Sequence, residues 1–309
     1  ISKSYQAGLL TKETALSEEI LKNIADPHME FPRKAVVACQ GVEGSYAARA
    51  CDRLFALPSK MYFSNFESVF NAVESGLCRY GVLPIENSSA GSVTEVYDLM
   101  VRHKFYIVKS IKLHISHALL AKPGVKLEDV KEVVSHTQAL QQCSNFLKAN
   151  PNIKVTIFEN TATAAKYVAE SGRTDLAALS STDCAKLYGL HVLQDGVQNN
   201  ENNYTRFICI AKNMEIYAGS NRISLMLSLE LSAKTHSSAP LLSASMPRFA
   251  CRGINLCKLE SRPIPGKDFE FRFYFDLDGS VFSPETMTVL KDIEQAAESL
   301  SFLGCYSEV

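Results

Sequence analysis

Leu176-Ala177-Ala178-Leu179-Ser180 runs into Ser181-Thr182-Asp183 and then into a helical pattern that ends at Gly189. A short apolar strand, a polar turn and a helix follow one another without a gap. The same cadence recurs upstream. Ala35-Val36-Val37-Ala38-Cys39 precedes Gly41-Val42-Glu43-Gly44-Ser45 and a helix carrying Ala47, Ala50, Cys51 and Leu54. Tyr80-Gly81-Val82-Leu83-Pro84-Ile85 precedes a turn through Ser92 and a helix through Val96, Leu99 and Met100. Glu132-Val133-Val134-Ser135 leads into His136-Thr137, and Val155-Thr156-Ile157-Phe158 into Asn160-Thr161-Ala162-Thr163. Strands separated by helices of about 8–13 residues predict parallel sheets and an α/β fold.

Working outward, the extended stretch Phe105 to Leu120 is long enough to carry the chain from one lobe to a second, and Tyr204 to Ala211 returns it. That reading divides residues 34–213 into two lobes, 34–108 plus 199–213 and 109–198, with a cleft between them. After Met214-Glu215-Ile216 the rhythm changes, and a domain boundary is placed near Ala218-Gly219-Ser220. Ile223–Leu231 reads as a strand and Leu242–Cys251 as a helix. Ile254–Ser261 and Phe269–Leu277 read as strands around Pro263-Ile264-Pro265-Gly266. Pro284–Leu300 is an amphipathic helix with Met287, Leu290, Ile293 and Ala297 on one face, and Phe302–Tyr306 a last short strand. The order βαββαβ over 220–309 is ferredoxin-like. Residues 1–33 read as an N-terminal helical extension, including Ser17-Glu18-Glu19-Ile20-Leu21, with a linker at His28–Pro32.

Composition narrows the function. A chain of 309 residues is too long for one ordinary core and fits two or three domains. Its net charge is −1, without a basic block for nucleic acid or an acidic tail, so specific pockets rather than an overall field must do the recognising. No apolar run approaches the roughly 20 residues of a membrane helix. The nine cysteines include no CxxC pair and sit mostly inside apolar runs, as reduced thiols of a cytoplasmic protein would. The seven histidines supply no clustered metal-ligand spacing, and no metal or cofactor is expected.

Ser or Thr stands where each of the five helices begins: Ser45, Ser89/Ser92, Ser135/Thr137, Thr161/Thr163 and Thr182. Helix capping alone accounts for any one of them. Together, at the carboxyl ends of strands, they describe a site where helix N-termini offer N–H donors to a small, oxygen-rich carboxylate. Gly41-x-x-Gly44 lacks the full dinucleotide fingerprint, and no phosphate-binding loop occurs. Thr205-Arg206-Phe207 sets a cation beside a hydroxyl, and Arg206 can grip a carboxylate through two hydrogen bonds or form a surface ion pair. Glu86-Asn87 leaves an apolar strand at one sheet edge, where Glu86 is either an acid of raised pKa or a loop anchor.

Several of these segments carry a family resemblance. Pro84-Ile85-Glu86-Asn87-Ser88-Ser89-Ala90-Gly91-Ser92 resembles the PIENSxxGS segment of prephenate dehydratases. Ser135-His136-Thr137-Gln138-Ala139-Leu140-Gln141-Gln142-Cys143 is similar to their SHPQALxQC helix start, with threonine replacing proline, and Asn203-Tyr204-Thr205-Arg206-Phe207 to their N-[YF]-TRF signature. Glu260-Ser261-Arg262-Pro263 is similar to the ESRP motif of their regulatory ACT domain. With Gly41-x-x-Gly44-Ser45-Tyr46, the resemblance runs from about residue 34 to the C-terminus. Leu303-Gly304-Cys305-Tyr306 resembles the ending of bifunctional proteins that carry chorismate mutase ahead of the dehydratase, and Ile1–Gln6 resembles the end of that mutase's last helix. An unrelated extension is the alternative there.

The resemblance implies a two-lobed, periplasmic-binding-protein-like catalytic unit followed by an ACT domain. It implies a cytoplasmic lyase of L-phenylalanine biosynthesis that expels the ring hydroxyl of prephenate with CO2 to give phenylpyruvate. Thr205 would assist departure of the hydroxyl, with Glu86 a second candidate. Arg206, Ser135, Thr161 and Thr163 would bind carboxylates, Asn87 and Gln142 would orient the substrate, and Ser45, Ser88, Gln138 and Phe207 would complete the site. L-Phenylalanine would bind between ACT domains of neighbouring subunits of a homodimer or homotetramer, at Asn255, Leu256, Glu260, Ser261, Arg262, Leu241 and Leu242. The family's Gly-Ala-Leu is Pro240-Leu241-Leu242 here, which removes an N–H donor and predicts phenylalanine binding that is weakened or redirected to another amino acid. Arogenate dehydratase stays open as an alternative. So does a non-catalytic small-anion or amino-acid-binding regulatory protein, against which the intact Thr205-Arg206-Phe207 argues.

Overall fold

The computed structural model describes residues 14–24, 30–228, 252–264, 271–297 and 299–309. The chain runs α1 (Ala15–Asn23), β1 (Lys34–Gln40), α2 (Tyr46–Leu54), β2 (Leu57–Phe63), α3 (Phe66–Glu74), β3 (Tyr80–Asn87), β4 (Gly91–Ser92) and α4 (Thr94–His103). It continues through β5 (Tyr106–His114), β6 (Ala118–Ala121), β7 (Glu132–Ser135), α5 (Thr137–Gln142), α6 (Ser144–Ala149), β8 (Lys154–Ile157) and α7 (Thr161–Glu170). Then come β9 (Leu176–Ser180), α8 (Thr182–Tyr188), β10 (His191–Gln194), β11 (Tyr204–Ala211), β12 (Arg222–Ser228), β13 (Asn255–Pro263), β14 (Phe271–Asp278), α9 (Pro284–Ala296) and β15 (Ser299–Glu308). Two compact units result, one from 32–103 and 111–209, the other from described residues before 32, in 104–110 and after 209. Among the described residues no helix is long and apolar enough to cross a membrane.

The first of these units holds two sheets. In one, the strands run β5-β11-β3-β1-β2, β5 entering this unit at Ile111, with β1 parallel to both β2 and β3. The other runs β10-β6-β9-β7-β8. Here β7 is parallel to β8 and β9, as strand–helix–strand units require. β6 runs against β9 and β10, which departs from the all-parallel expectation. The reason is topological: β6 is delivered by the short connection from β5 and not by a crossover helix. Alternation along β7 and β9 covers both sheet faces. Val134, Leu176 and Ala178 face one core with Ala162, Ala165 and Val168 of α7. Val133, Ala177 and Leu179 face the other with Leu140 and Phe146. β2 and α3 are elements the apolar pattern had not singled out.

The remaining unit orders its strands β13-β14-β12-β15. The central β12 is antiparallel to both neighbours. Ile223, Leu225 and Leu227 alternate into one core with Phe273, Phe275 and Leu277 of β14 and Met287, Leu290 and Ile293 of α9. The expected helix over Leu242–Cys251 lies outside the described residues. α9 ends at Ala296, not at Leu300, and β15 begins at Ser299, because pairing with β12 extends to Ser299↔Ser228. Strand hydrogen bonds there override the helical pattern. α1 is capped by Thr14, and its Leu16 and Ile20 enter this core beside Met214 and Ile216. The segment read as an extension thus packs in the core of this unit, which also takes in 104–110 and the described residues from Ile210 onward.

Candidate active site

A cavity of about 230 Å³ lies between the two sheets of the unit formed by 32–103 and 111–209. It sits beyond the C-terminal ends of β1, β3, β7 and β8. On one side stand Gln40, Pro84, Asn87, Thr205 and Phe207, with Ser45, Tyr46 and Ala47 at the start of α2. The other supplies His136, Gln138, Ala139 and Gln142 around α5, and Glu159, Asn160 and Thr161 at the start of α7. Ile115 and His117, on the connection from β5 to β6, and Phe66 complete the lining.

The two sides touch directly. The Tyr46 hydroxyl donates to the Ser116 carbonyl at 2.6 Å and accepts from the Ser116 N–H at 3.2 Å. Tyr188 of α8 donates to the Glu43 carbonyl at 2.7 Å, and Arg49 of α2 pairs with Asp183 of α8 at 2.9 Å. Gly44 lies against α8, where an added Cβ would meet Leu187 at 2.9 Å and Cys184 at 3.1 Å.

The polar centre is a relay through Asn87. Its Oδ1 accepts from the backbone N–H groups of Ser89 (3.0 Å) and Ala90 (2.9 Å). That fixes which end of the amide is oxygen. The Nδ2 group therefore faces Asn203 Oδ1 and Thr205 Oγ1, both at 2.9 Å. Because Thr205 accepts this hydrogen bond, its own O–H is left to donate. Asn87 and Thr205 are both buried.

No lysine or arginine lines the cavity among the described residues. Burial holds the His117 imidazole below its usual range, with the hydrogen bond to Gln142 acting in the other direction, and burial does the same at His136. Both rings are therefore neutral near pH 7. Attraction for anions falls to the helix N-termini, whose first-turn N–H groups have no intrahelical acceptor and whose dipole end is positive. α2 is capped by Ser45, which accepts from Ala48 N–H at 3.3 Å, and α7 by Asn160, which accepts from Thr163 N–H at 2.8 Å.

The structure brings seven of the expected residues to the cavity: Ser45, Asn87, Gln138, Gln142, Thr161, Thr205 and Phe207. Five others lie elsewhere. Successive strand residues project to opposite faces. With Asn87 and Thr205 toward the cavity, their neighbours Glu86 and Arg206 turn away, and Arg206 Nη2 lies 3.5 Å from Glu86 Oε2. Ser135 is fully buried between strands and donates to the Leu179 carbonyl at 2.6 Å. Ser88 is exposed, where it accepts from Tyr204 N–H at 2.9 Å. Thr163 lies two residues further along α7 than the Thr161 that lines the cavity, with its hydroxyl oxygen buried. The turns at Ser89/Ser92 and Thr182 also lie off the cavity. Sequence reasoning passed over His117, Tyr46, His136, Gln40, Glu159 and Asn160. The N-cap rule would have found Asn160, whereas nothing in Ile115-Ser116-His117-Ala118 marks His117.

The residues expected to hold an effector fall on β13. Asn255 donates to Asp278 at 2.8 Å, and Glu260 pairs with Lys258 at 3.3 Å. Leu256 packs against the hydrophobic core on the inward phase of β13. Ser261 is exposed and Arg262 half-buried. Pro240, Leu241 and Leu242 lie outside the described residues.

The chain is similar to known proteins in both sequence and fold. The family model described as prephenate dehydratase matches residues 37–215. Arogenate dehydratase/prephenate dehydratase 1, chloroplastic, of Arabidopsis thaliana is 37% identical over 289 residues, covering 88% of this chain and 72% of the relative. The prephenate dehydratase of Arthrobacter aurescens, solved in complex with L-Phe, superposes with a TM-score of 0.77 at 25% identity, covering 88% of this chain and 90% of that one. The quorum-quenching acylase GqqA superposes at 0.78 with 25% identity, covering 89% and 98%. With the cavity geometry, the family match over more than half of the chain decides the matter: this chain belongs to the prephenate dehydratase family, lyases that dehydrate and decarboxylate prephenate.

Proposed function

We propose that the cavity converts prephenate to phenylpyruvate with Thr205 as the hydrogen-bond donor to the departing ring hydroxyl. The Asn87–Thr205 contact carries this reading, because an amide pinned through its oxygen obliges Thr205 to donate outward. As the carboxylate leaves as CO2, the electrons of the breaking C–C bond enter the ring and expel hydroxide. The electron supply is internal, so no redox partner is required. A threonine hydroxyl is a weak acid and serves as a positioned donor where charge develops. The α2 and α7 N-termini and the Gln142 amide bind carboxylates. Purified chain should release phenylpyruvate from prephenate, and Thr205→Ala should lower kcat by about 10²–10³-fold, the scale for one transition-state donor. Wild-type turnover in a folded Thr205→Ala variant would remove Thr205 from the mechanism. Arogenate is run beside prephenate, because the plant relatives bear both activities in their names.

The same proposal divides the chain into a dehydratase part, 34–213, and a regulatory ACT domain, 220–309. Support for the latter is the strand order β13-β14-β12-β15, which is that of a βαββαβ unit. β13 is an edge strand with half its residues exposed, and pairing with a second copy would cover it. Sedimentation showing only the 34.1 kDa monomer at micromolar concentration would refute a homodimer or homotetramer. L-Phenylalanine is the proposed effector, and calorimetry on the full chain measures whether it binds. A reducing compartment such as the cytoplasm fits the eight free cysteines among the described residues.

A further inference from the structure

We infer that His117 is a positioning residue that holds the Gln142 carboxamide with its N–H2 group toward the ligand. This rests on the reading of Gln142 as a substrate contact. His117 is 2% exposed and lines the cavity together with Gln142. Its backbone is tied on both sides, the N–H donating to Gln198 Oε1 at 2.9 Å and the carbonyl accepting from Val197 N–H at 3.0 Å. The Tyr46 ring packs edge-on against the imidazole, with centroids 6.4 Å apart. The ring therefore has little freedom to turn.

Its Nε2 lies 2.9 Å from Gln142 Oε1. Two arrangements satisfy that contact. Either a protonated Nε2 donates to the amide oxygen, or the amide is reversed and donates to a bare Nε2. A neutral ring carries one N–H, so the second arrangement places it on Nδ1, which is buried without a hydrogen-bond partner. An orphaned buried N–H donor is rarer and costlier than an orphaned acceptor. The first arrangement wins. Gln142 then spends its oxygen on His117 and keeps both N–H bonds for an anion. Asn87 is pinned through its oxygen in the same way by Ser89 and Ala90. The Gln142 amide thus supplies donors directly, and Asn87 does so only through the Thr205 hydroxyl it orients, in a cavity that no lysine or arginine lines among the described residues.

The test is a double-mutant cycle on the full chain: His117→Ala, Gln142→Ala and the pair, with kcat and KM for prephenate and thermal unfolding of each. His117→Ala should raise KM about tenfold while changing kcat less, the scale of one lost hydrogen bond. His117→Gln, whose amide nitrogen occupies the place of Nε2, should restore most of that loss and remains informative if the alanine variant folds poorly. The double variant should be no worse than Gln142→Ala alone, because His117 acts through it. KM losses that multiply, or an unchanged KM in His117→Ala, would overturn the inference while leaving Gln142 in the site. An unchanged KM in Gln142→Ala would overturn the inference together with the placement of Gln142.

Discussion

Asn87→Asp exchanges one amide N–H2 for an oxygen at nearly constant volume, and the relay makes its effect specific. The retained oxygen still accepts from Ser89 and Ala90, so the loop keeps its anchor. The new oxygen faces two acceptors at 2.9 Å, Asn203 Oδ1 and Thr205 Oγ1. Thr205 can adapt by turning its hydrogen onto the introduced carboxylate, which withdraws that hydrogen from the cavity. Asn203 can likewise reverse its amide so that Nδ2, buried without a hydrogen-bond partner, donates to the new oxygen, and stability should change by less than about 1 kcal/mol. Withdrawing the donor should lower kcat by about 10²–10³-fold, or about 2.7–4 kcal/mol of transition-state stabilisation, with a smaller change in KM. Asn87→Ala leaves the Thr205 hydroxyl free to rotate, so it should retain more activity than the isosteric aspartate. Phenylpyruvate release is measured for both variants beside thermal unfolding. An aspartate variant with wild-type kcat, or an alanine variant slower than it, would refute the relay.

Arg206→Gln should lower stability by about 1–3 kcal/mol while leaving KM within about twofold, because Arg206 pairs with Glu86 on the face away from the cavity; a several-fold rise in KM would place it at the substrate. Hydrogen bonds from Thr156 and then Arg173 hold the Glu132 carboxyl below its usual range. Its stabilising contribution is therefore complete above the unfolded-state pKa of about 4.3 and is lost as pH falls through the lower folded value. Glu132→Gln should accordingly flatten the acid limb of a stability-against-pH curve, and an identical limb would contradict this. Gly304→Ala should destabilise the β15–β5 pairing by at least about 1–3 kcal/mol in urea titrations, since Gly304 has φ +146° and a Cβ would collide with the Ile107 carbonyl. A variant of unchanged stability would show that the strands can separate at that point without cost.

Much was legible in the sequence because it depends on neighbours along the chain. Strand–turn–helix units show in short apolar runs followed by polar turns, and Ser45 caps its helix as read, whereas Asn160 rather than Thr161 or Thr163 caps α7 and His136 caps α5. The motifs around Asn87, Gln142 and Thr205 identified the family from their order alone. Sequence could not tell Thr205 from Arg206, or Asn87 from Glu86, as the residue facing the cavity. Strand side chains alternate, and which phase faces inward depends on where the sheet meets its partner across the cleft. Ser135 carries the same hydroxyl and the same strand-end position as a binding residue, yet the β7–β9 pairing buries it on a carbonyl. His117 became visible only when the β5–β6 connection brought it to Gln142 and Tyr46, far away in sequence. The sequence by itself determined most strand–turn–helix units, through local periodicity, and the family, through the order of its motifs. Tertiary structure alone decided which hydroxyls and amides aim their hydrogens into the cavity, because that direction is set by long-range partners competing for the same lone pairs.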